Sequence, residues 1–505
     1  MKFELKTLPH YGKIVNILII AIILRVYYYG WVTDDAFITF RSVLNFINGD
    51  GLVFNLGERV QSYTHPLWFL MLSFFAYFDT NLYFLSIVIG VVLTAFTLIY
   101  LKIFYKRNGS KDISLAFILV LFLNSDIFLQ FSTSGLENSL TNLLLIMIFY
   151  YFTVNFDAIK NGKQFNIFFI SVLVALLLTN RFDQIFLIAP LYIYLLFKNY
   201  KYAILGLSPL FIWHIFSLVY YGFLFPNTKY AKIGARTLSE NIKAGFNYFI
   251  DSFQSDILFF LLMFVVLIFG FTNILKNRIQ LKKDFFIFIM VIGILFQIFY
   301  VIVLAGGDFM RGRFFISILL MTALLFSFLD LKIKSTYLPF FLVCSFLSYY
   351  IGFNEKFIIK THGIENERNY YKKYLALNLE PYHNYTLHPW GINGQNFNKN
   401  DKTVPIIGVN GQRGYWIDKT KLIDLVGLTD AFIARTPVIN SNRTGHFEHN
   451  IPQEYFRLLS GEQINFWKNK DDEELYKNLT IVISGEIVSK QRIKSMIYLW
   501  QRYGI

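Results

Sequence analysis

A single cysteine, Cys344, stands among 505 residues, so no internal disulfide can staple the chain and its fold must hold by packing and hydrogen bonding. Charge is also scarce. Asp, Glu, Lys and Arg make up 16% of the sequence, while 55% is hydrophobic and 19% aromatic. That balance excludes an ordinary soluble enzyme of this length and points to a membrane protein. Acids are the scarcer sign, 33 against 47 basic residues, for a net charge of +14. A nucleic-acid binder would gather that excess on one soluble face. Here Lys and Arg punctuate apolar runs instead, so the expected partner is the lipid bilayer and not nucleic acid. Small-residue cleavage chemistry is missing behind the first apolar stretch, IVNILIIAIILRVYYYG, which reads as an uncleaved span. Internal repeats and low-complexity linkers are absent as well.

What is present is a train of apolar runs, near 14–30, 67–78, 82–104, 113–131, 138–154, 166–180, 185–197, 202–221, 256–275, 285–304, 314–329 and 336–352. A helix crosses the hydrocarbon core in about 20 residues, with Lys and Arg collected on the cytoplasmic side. The connections are of two kinds. KIFYKRNGSKD, DAIKNGK, KNYK, KNRIQLKKD and DLKIK are short, basic and plain; GWVTDDAFITFR, STSGLENS, TNRFDQ, YYGFLFPNTKYAK and AGGDFMRGRF carry mixed chemistry. With the basic N-terminus inside, the two kinds alternate sides if PLWFLMLSFFAYF, short and begun by proline, lies in the interface or re-enters. The expected fold is a polytopic α-helical membrane protein of about 11 spans over residues 1–353, set in the cytoplasmic membrane. Its mixed-chemistry connections lie outside, with a catalytic first outer loop at 31–66. The polar stretch 354–505 then reads as an extracytoplasmic (periplasmic) α/β domain, with strands at TVPIIGV (403–409), KLIDLVG (421–427) and LTIVISG (479–485) and a helical end at 489–502.

The adjacent acids Asp34 and Asp35 are the leading catalytic candidates. Neighbouring carboxylates repel and compete for protons, so one can act as a base while the other orients groups or holds a cation. Asp34 is read as the base, and one residue of rotation in the loop would exchange the two. As a structural alternative, the pair is only a polar helix end. Arg41, Arg181, Arg311 and Arg313 lie where positive residues are least expected, and a phosphate leaving group would account for them. Their alternative roles are lipid headgroup binding or pairing with Asp183 and Asp308. Arg25, inside the first run, snorkels or finds an acid. His446 and His449 in GHFEH lack a third metal ligand at a fitting spacing, which leaves a structural or substrate-bonding role. The glycines before Asp308, Gly306 and Gly307, permit a tight turn. Asn384, Asn442 and Asn478 begin N-x-[ST] triplets that carry little weight.

Taken together, DDAFITFR, GDGLVFNLGERVQSYTHPLW, SGLEN, the Arg181–Asp183 turn, LFPNTKYAK, GGDFMRGR and KLIDLVGLTDAFIAR resemble a bacterial C-type (GT-C) glycosyltransferase family. That family is typified by the mycobacterial terminal β-(1→2)-arabinofuranosyltransferase, and the resemblance covers nearly the whole chain. Departures occur at Phe182 and Arg311, where the family commonly has proline, and at GHFEH, which replaces Gly-His-Glu-Lys. The resemblance implies a multi-span transferase with an acidic motif in its first outer loop. It would take a sugar, a pentofuranose such as arabinofuranose, from a polyprenyl-phosphate donor to a cell-envelope glycan or glycolipid acceptor with inversion. On the matching motifs Glu137, Asn227, Lys229 and His446 join Arg41, Arg181, Asp183, Asp308, Arg311 and Arg313 as donor-phosphate or substrate-binding candidates. No cofactor is required, and a divalent cation is admissible but not demanded. The alternatives are a surface-polysaccharide polymerase or ligase, a protein glycosyltransferase, and a lipid-linked sugar transporter or flippase. The last would place ionisable residues mid-span and show related halves.

Overall fold

A computed structural model of the protein describes residues 11–232, 234–277, 279, 282–329, 334–353, 363–375, 388–397, 403–406, 410–417, 421–462 and 467–504. The chain divides into two compact units. The first comprises Met1–Trp31, Ser86–Ser208 and Leu238–Glu367; the second comprises Val32–Leu85, Pro209–Thr237 and Arg368–Ile505. Residues around the acid pair therefore pack in one unit with much of the polar tail.

The first unit is built of helices that are apolar on nearly every face, the pattern of segments buried in protein and lipid. They include Tyr11–Tyr28, Asp112–Asn124, Asn138–Val154, Gln164–Asn180, Ile185–Gly206, Ile257–Asn277, Lys282–Phe299, Ile316–Phe326 and Leu338–Phe353. Leucine, isoleucine and phenylalanine remain exposed at helical spacing, as in Ile17, Ile20 and Leu24 or Ile268, Phe271 and Leu275. Contiguous apolar surface of that kind calls for an apolar solvent. Among the described residues, Leu82–Arg107, Ile257–Lys276 and Lys282–Leu304 are long and apolar enough to cross a membrane, and a fourth span results if Phe182–Gly206 and Ser208–Tyr220 count as one broken helix. The other apolar runs are helical but shorter.

Three local departures have physical causes. The run at 113–131 divides at Ser125, whose hydroxyl accepts from Phe128 N and starts a second helix, Asp126–Phe131. At KNYK the interruption is a single residue, Asn199 (φ −162°, ψ 90°), and the chain returns at once to helix. Between the mixed-chemistry connections lies an unforeseen helix, Leu238–Ser255, which buries Gly245, Tyr248, Asp251, Ser252 and Ser255 along one face. Arg25 donates to Asn124 Oδ1 at 3.0 Å and lies 4.4 Å from the Tyr349 ring centroid.

The second unit has an aromatic and aliphatic core that includes Phe432, Tyr455, Trp467, Leu475, Leu479 and Leu499. Its strands form two small ribbons. Thr403–Ile406 pairs in parallel with Lys421–Asp424, and Val438–Asn440 pairs antiparallel with Glu448–His449. Residues 407–409 of the expected first strand lie outside the described set, as does Asn384. The strand expected at 479–485 is instead the end of a helix, Lys470–Ser484. Asn469 caps that helix by accepting from Asp471 N, and three acids occupy its first turn. Burial of Leu475, Leu479, Val482 and Ile483 then follows a helical period, so packing overrides the β-branched TIVI stretch. The final helix, Lys490–Tyr503, starts at Ser489, which accepts from Arg492 N at 3.1 Å. The run after Pro66 is an 11-residue helix, Pro66–Ala76, roughly 16 Å long and too short to span.

Helix contact in the first unit depends on Gly293, where a Cβ would lie 2.3 Å from the Leu187 carbonyl oxygen. Gly293→Ala must push the helices Lys282–Phe299 and Ile185–Gly206 apart, at a cost of about 1–3 kcal/mol. The detergent-solubilised variant is expected to melt below wild type; an unchanged melting temperature would deny that the two backbones touch there.

Candidate functional site

In the second unit, Asp34 and Asp35 open the helix Asp34–Ile47. Asp34 is buried, and its carboxylate receives two backbone donors: Oδ1 accepts from Gln412 N at 2.9 Å and Oδ2 from Gly411 N at 3.1 Å. These N–H groups begin the short helix Gly411–Trp416. Glycine is required at 411 because a Cβ would fall 1.8 Å from the Asp34 carbonyl oxygen. Seven residues along the same face, Arg41 donates from Nε to Phe54 O at 2.9 Å and from Nη1 to Gly414 O at 2.6 Å. An acid thus meets the positive end of the Gly411 helix and a guanidinium its carbonyl end, matching the helix dipole. Burial pushes the Asp34 pKa up to about 7, opposed by the Gln412 N–H and assisted by the charge of Asp35. Asp35 is only half-buried and points about 100° around the helix from Asp34.

The Gly411 helix went unnoticed in the sequence. Gln412 is fully buried beside Asp34, with which its side chain also interacts, and its amide oxygen has no partner. Trp416 Nε1 is likewise unpartnered. The available signal was GQRG, whose two glycines share a helix face and let the segment approach other backbone closely. Tail and early sequence interlock further at Asn55, which donates to Leu422 O at 2.9 Å and accepts from Leu422 N at 3.0 Å. Asn227 does the same for the loop at 427–430. Its amide donates to Gly427 O at 2.8 Å and Asp430 O at 3.1 Å, and it accepts from Arg435 at 3.1 Å. Lys229 is half-exposed, 3.6 Å from the Phe225 ring centroid, and burial lowers its pKa. His446 is pushed down to about 3, mainly by burial and then by Arg443 and Lys232, and is neutral at ordinary pH. Among the described residues no three His, Cys, Asp or Glu side chains gather as a metal site.

In the first unit, STSGLENS, TNRFDQ and AGGDFMRGRF converge. Glu137 stands at the start of Asn138–Val154 and Arg181 at the end of Gln164–Asn180. Arg181 grips Asp183 through Nε at 3.0 Å and Nη2 at 2.9 Å and reaches Glu137 at 3.6 Å. Arg313 meets Glu137 at 3.2 Å and Asp308 at 3.7 Å. Arg311 turns elsewhere, to a buried fork with Asp251 at 2.6 and 3.2 Å. Asp251 was missed because the helix carrying it, Leu238–Ser255, lies outside the apolar runs and the motif connections. The arginines expected to hold phosphate are thus all engaged, Arg41 by carbonyls and the others by carboxylates.

Amide side chains surround this ion-pair cluster with a consistent polarity. Asn180 Nδ2 donates to Glu137 O at 3.1 Å, and Gln184 and Gln297 donate to Asp183 Oδ2 at 3.0 and 3.4 Å. Backbone carbonyls and carboxylates only accept, so these contacts fix each amide's orientation. The oxygens Asn180 Oδ1, Gln184 Oε1 and Gln297 Oε1 are therefore acceptors, and none has a partner. Asn138 uses neither amide atom, and the Ser134 and Ser139 hydroxyls are also unpartnered. With all five groups ionised, Arg181 and Arg313 against Glu137, Asp183 and Asp308 leave one net negative charge. Such a surface suits a neutral ligand rich in O–H donors better than an anion.

Arg311 and Asp251 provide a direct stability test. Removing one partner strands a buried charge, so Arg311→Ala should cost about 3–5 kcal/mol, whereas Arg311→Met combined with Asp251→Leu should recover much of that loss. Thermal melting of the two variants checks this; a double variant no more stable than the single one would show that the pair is not coupled.

No family model matches the sequence. A terminal beta-(1->2)-arabinofuranosyltransferase of Mycobacterium tuberculosis is 25% identical over 223 residues, covering 41% of this chain and 35% of that protein. The chain thus spans about a third of the length of this relative. A protein of the same description from Corynebacterium glutamicum is 50% identical over 38 residues, 8% of this chain and 6% of its own. The chain is thus distantly similar, over part of its length, to terminal beta-(1->2)-arabinofuranosyltransferases.

Proposed function

We propose that the protein is a membrane glycosyltransferase that moves a sugar, a pentofuranose such as arabinofuranose, from a polyprenyl-phosphate donor to a cell-envelope glycan or glycolipid. The observation that carries this reading is the set of unspent amide acceptors around the Glu137–Arg181–Arg313 cluster. Sugar hydroxyls supply the missing donors, and a neutral ring meets no charge penalty there. The partial similarity to arabinofuranosyltransferases points to the same substrate class. Exposed apolar helix faces and the alternating basic connections support a multi-span protein of the cytoplasmic membrane, with its acid pair and polar tail on the outer face.

In the proposed reaction, the acceptor hydroxyl attacks the anomeric carbon as its proton passes to a carboxylate. The new C–O bond forms while the bond from that carbon to phosphate oxygen breaks, and polyprenyl phosphate departs with the electron pair. Asp35 is assigned as the base by its access, being half-buried where Asp34 is buried against the Gly411 helix. Asp34 is assigned as a positioning acid.

A panel of polyprenyl-phosphate sugars offered to the purified protein tests the reaction, with transfer from one donor as the expected outcome and no transfer from any as its refutation. Asp35→Asn should reduce turnover by ~10²- to 10⁴-fold with melting unchanged; near wild-type turnover would remove Asp35 from the mechanism. Activity should also fall as pH drops below about 7, where Asp34 becomes protonated and loosens its hold on the Gly411 helix. Asp34→Asn should abolish that limb and lower the melting temperature. A limb that persists in this variant belongs to another group.

A further inference from the structure

A cavity of about 490 Å³ in the first unit lies apart from the residues discussed so far. It opens where the helix Leu82–Arg107 ends and the helices Asp112–Asn124 and Lys282–Phe299 begin. Lys111, Lys282 and Lys283 line it, with hydroxyls including Ser110, and none of its described lining residues is acidic. Phe286 and Phe328 also line it, with ring centroids 5.6 Å apart, and Lys282 Nζ lies 5.9 Å from the Phe286 centroid. Side chain and backbone pin the polar floor: Ser110 Oγ donates to Ser327 O at 2.5 Å, and Asn108 Nδ2 donates to Ser327 Oγ at 3.0 Å. The cavity therefore brings basic and aromatic lining residues together.

Three lysines at helix ends would ordinarily serve only to orient a membrane protein. That role needs no cavity. Here the charges border a half-open volume within the range of small-ligand sites. Lys282 does touch Asp157 at 3.3 Å, but both side chains are well exposed, 41% and 81%, and a pair of that kind binds weakly. Its charge is still available to a ligand. The cavity also adjoins two helices of membrane-spanning length, Leu82–Arg107 and Lys282–Leu304, at their charged ends. A ligand here has an anionic group for the lysines and an apolar portion for the phenylalanines, with its polar end at the level where headgroups lie.

We propose that this cavity binds a phosphate group carried by an anionic membrane lipid, with the lysines on the phosphate and the root of the chain against Phe286 and Phe328. The site stands independently of the glycosyl transfer proposed above. Its elements carry none of the mixed-chemistry motifs.

Native mass spectrometry of the full-length protein, delipidated and then supplied separately with phosphatidylglycerol, phosphatidylcholine or inorganic phosphate, tests the assignment. Phosphatidylglycerol should be retained and phosphatidylcholine should not. Replacing Lys111, Lys282 and Lys283 together by alanine should weaken retention by about a hundredfold, as each lysine near a lipid phosphate contributes about fivefold. The corresponding triple arginine variant keeps the charge and should retain the lipid. Equal retention of the two lipids, or retention unaffected by the alanine variant, would overturn the proposal. Inorganic phosphate bound through the same lysines without any phosphatidylglycerol preference would overturn the lipid source and assign the cavity to free phosphate.

Discussion

Taking an ion out of water among apolar helices costs several kcal/mol, and only an opposite charge with good geometry offsets it. That constraint organises the helix ends of the first unit. Arg181 cannot stand alone at the end of Gln164–Asn180, so Asp183 forks onto it and Glu137 approaches from the start of the next helix. Arg313 then shares Glu137. Each connection thereby fixes the position of another. Arg311, two residues from Arg313, answers the same requirement with a separate acid, Asp251. The loop bearing both arginines is thus held on two sides, and the close turn at Gly306 and Gly307, both at positive φ, lets it enter.

In the second unit the same problem is solved with partial charges. Asp34 is buried without a guanidinium or ammonium among its hydrogen-bond partners, and two backbone N–H groups at a helix start take that place. Because the donors are dipoles and not ions, burial still prevails and holds the carboxyl near neutrality. Arg41 mirrors this at the other end of the six-residue helix. A helix so short has little stability of its own. Its position depends on an acid and a base seven residues apart, a spacing that brings both to one side of Asp34–Ile47.

Sequence disclosed what depends on bulk transfer energy and concealed what depends on which residues meet. Apolar runs became helices nearly wherever they occurred, because desolvation and internal hydrogen bonding act on composition alone. The motif connections were visible too, since charged residues are out of place among such runs. Their pairing was not. Glu137, Arg181 and Arg313 are far apart in the chain, and nothing local in MRGR indicates that Arg311 and Arg313 take different acids. The helix Leu238–Ser255 was missed because its buried face is made of Gly, Tyr, Asp and Ser, which read as loop residues. TIVIS misled in the opposite direction, its β-branched side chains favouring a strand until the Asn469 cap and the Leu475–Leu479 spacing are considered.

Satisfaction of charge and satisfaction of hydrogen bonds come apart at one place. The ion pairs of the first unit consume the donors of Asn180, Gln184 and Gln297 and leave their carbonyl oxygens idle. A purely structural network tends to close on itself, because an unpaired buried polar atom costs about 1–3 kcal/mol. This one pairs its cations but leaves acceptors idle and one negative charge in excess. An anion would intensify the imbalance, since it brings more acceptors and more negative charge. A ring bearing several hydroxyls corrects it, giving each idle oxygen a donor while its own oxygens accept from Ser134, Ser139 and Asn138. The polarity of the leftover atoms thus favours a neutral, hydroxyl-bearing ligand over an anion at this cluster.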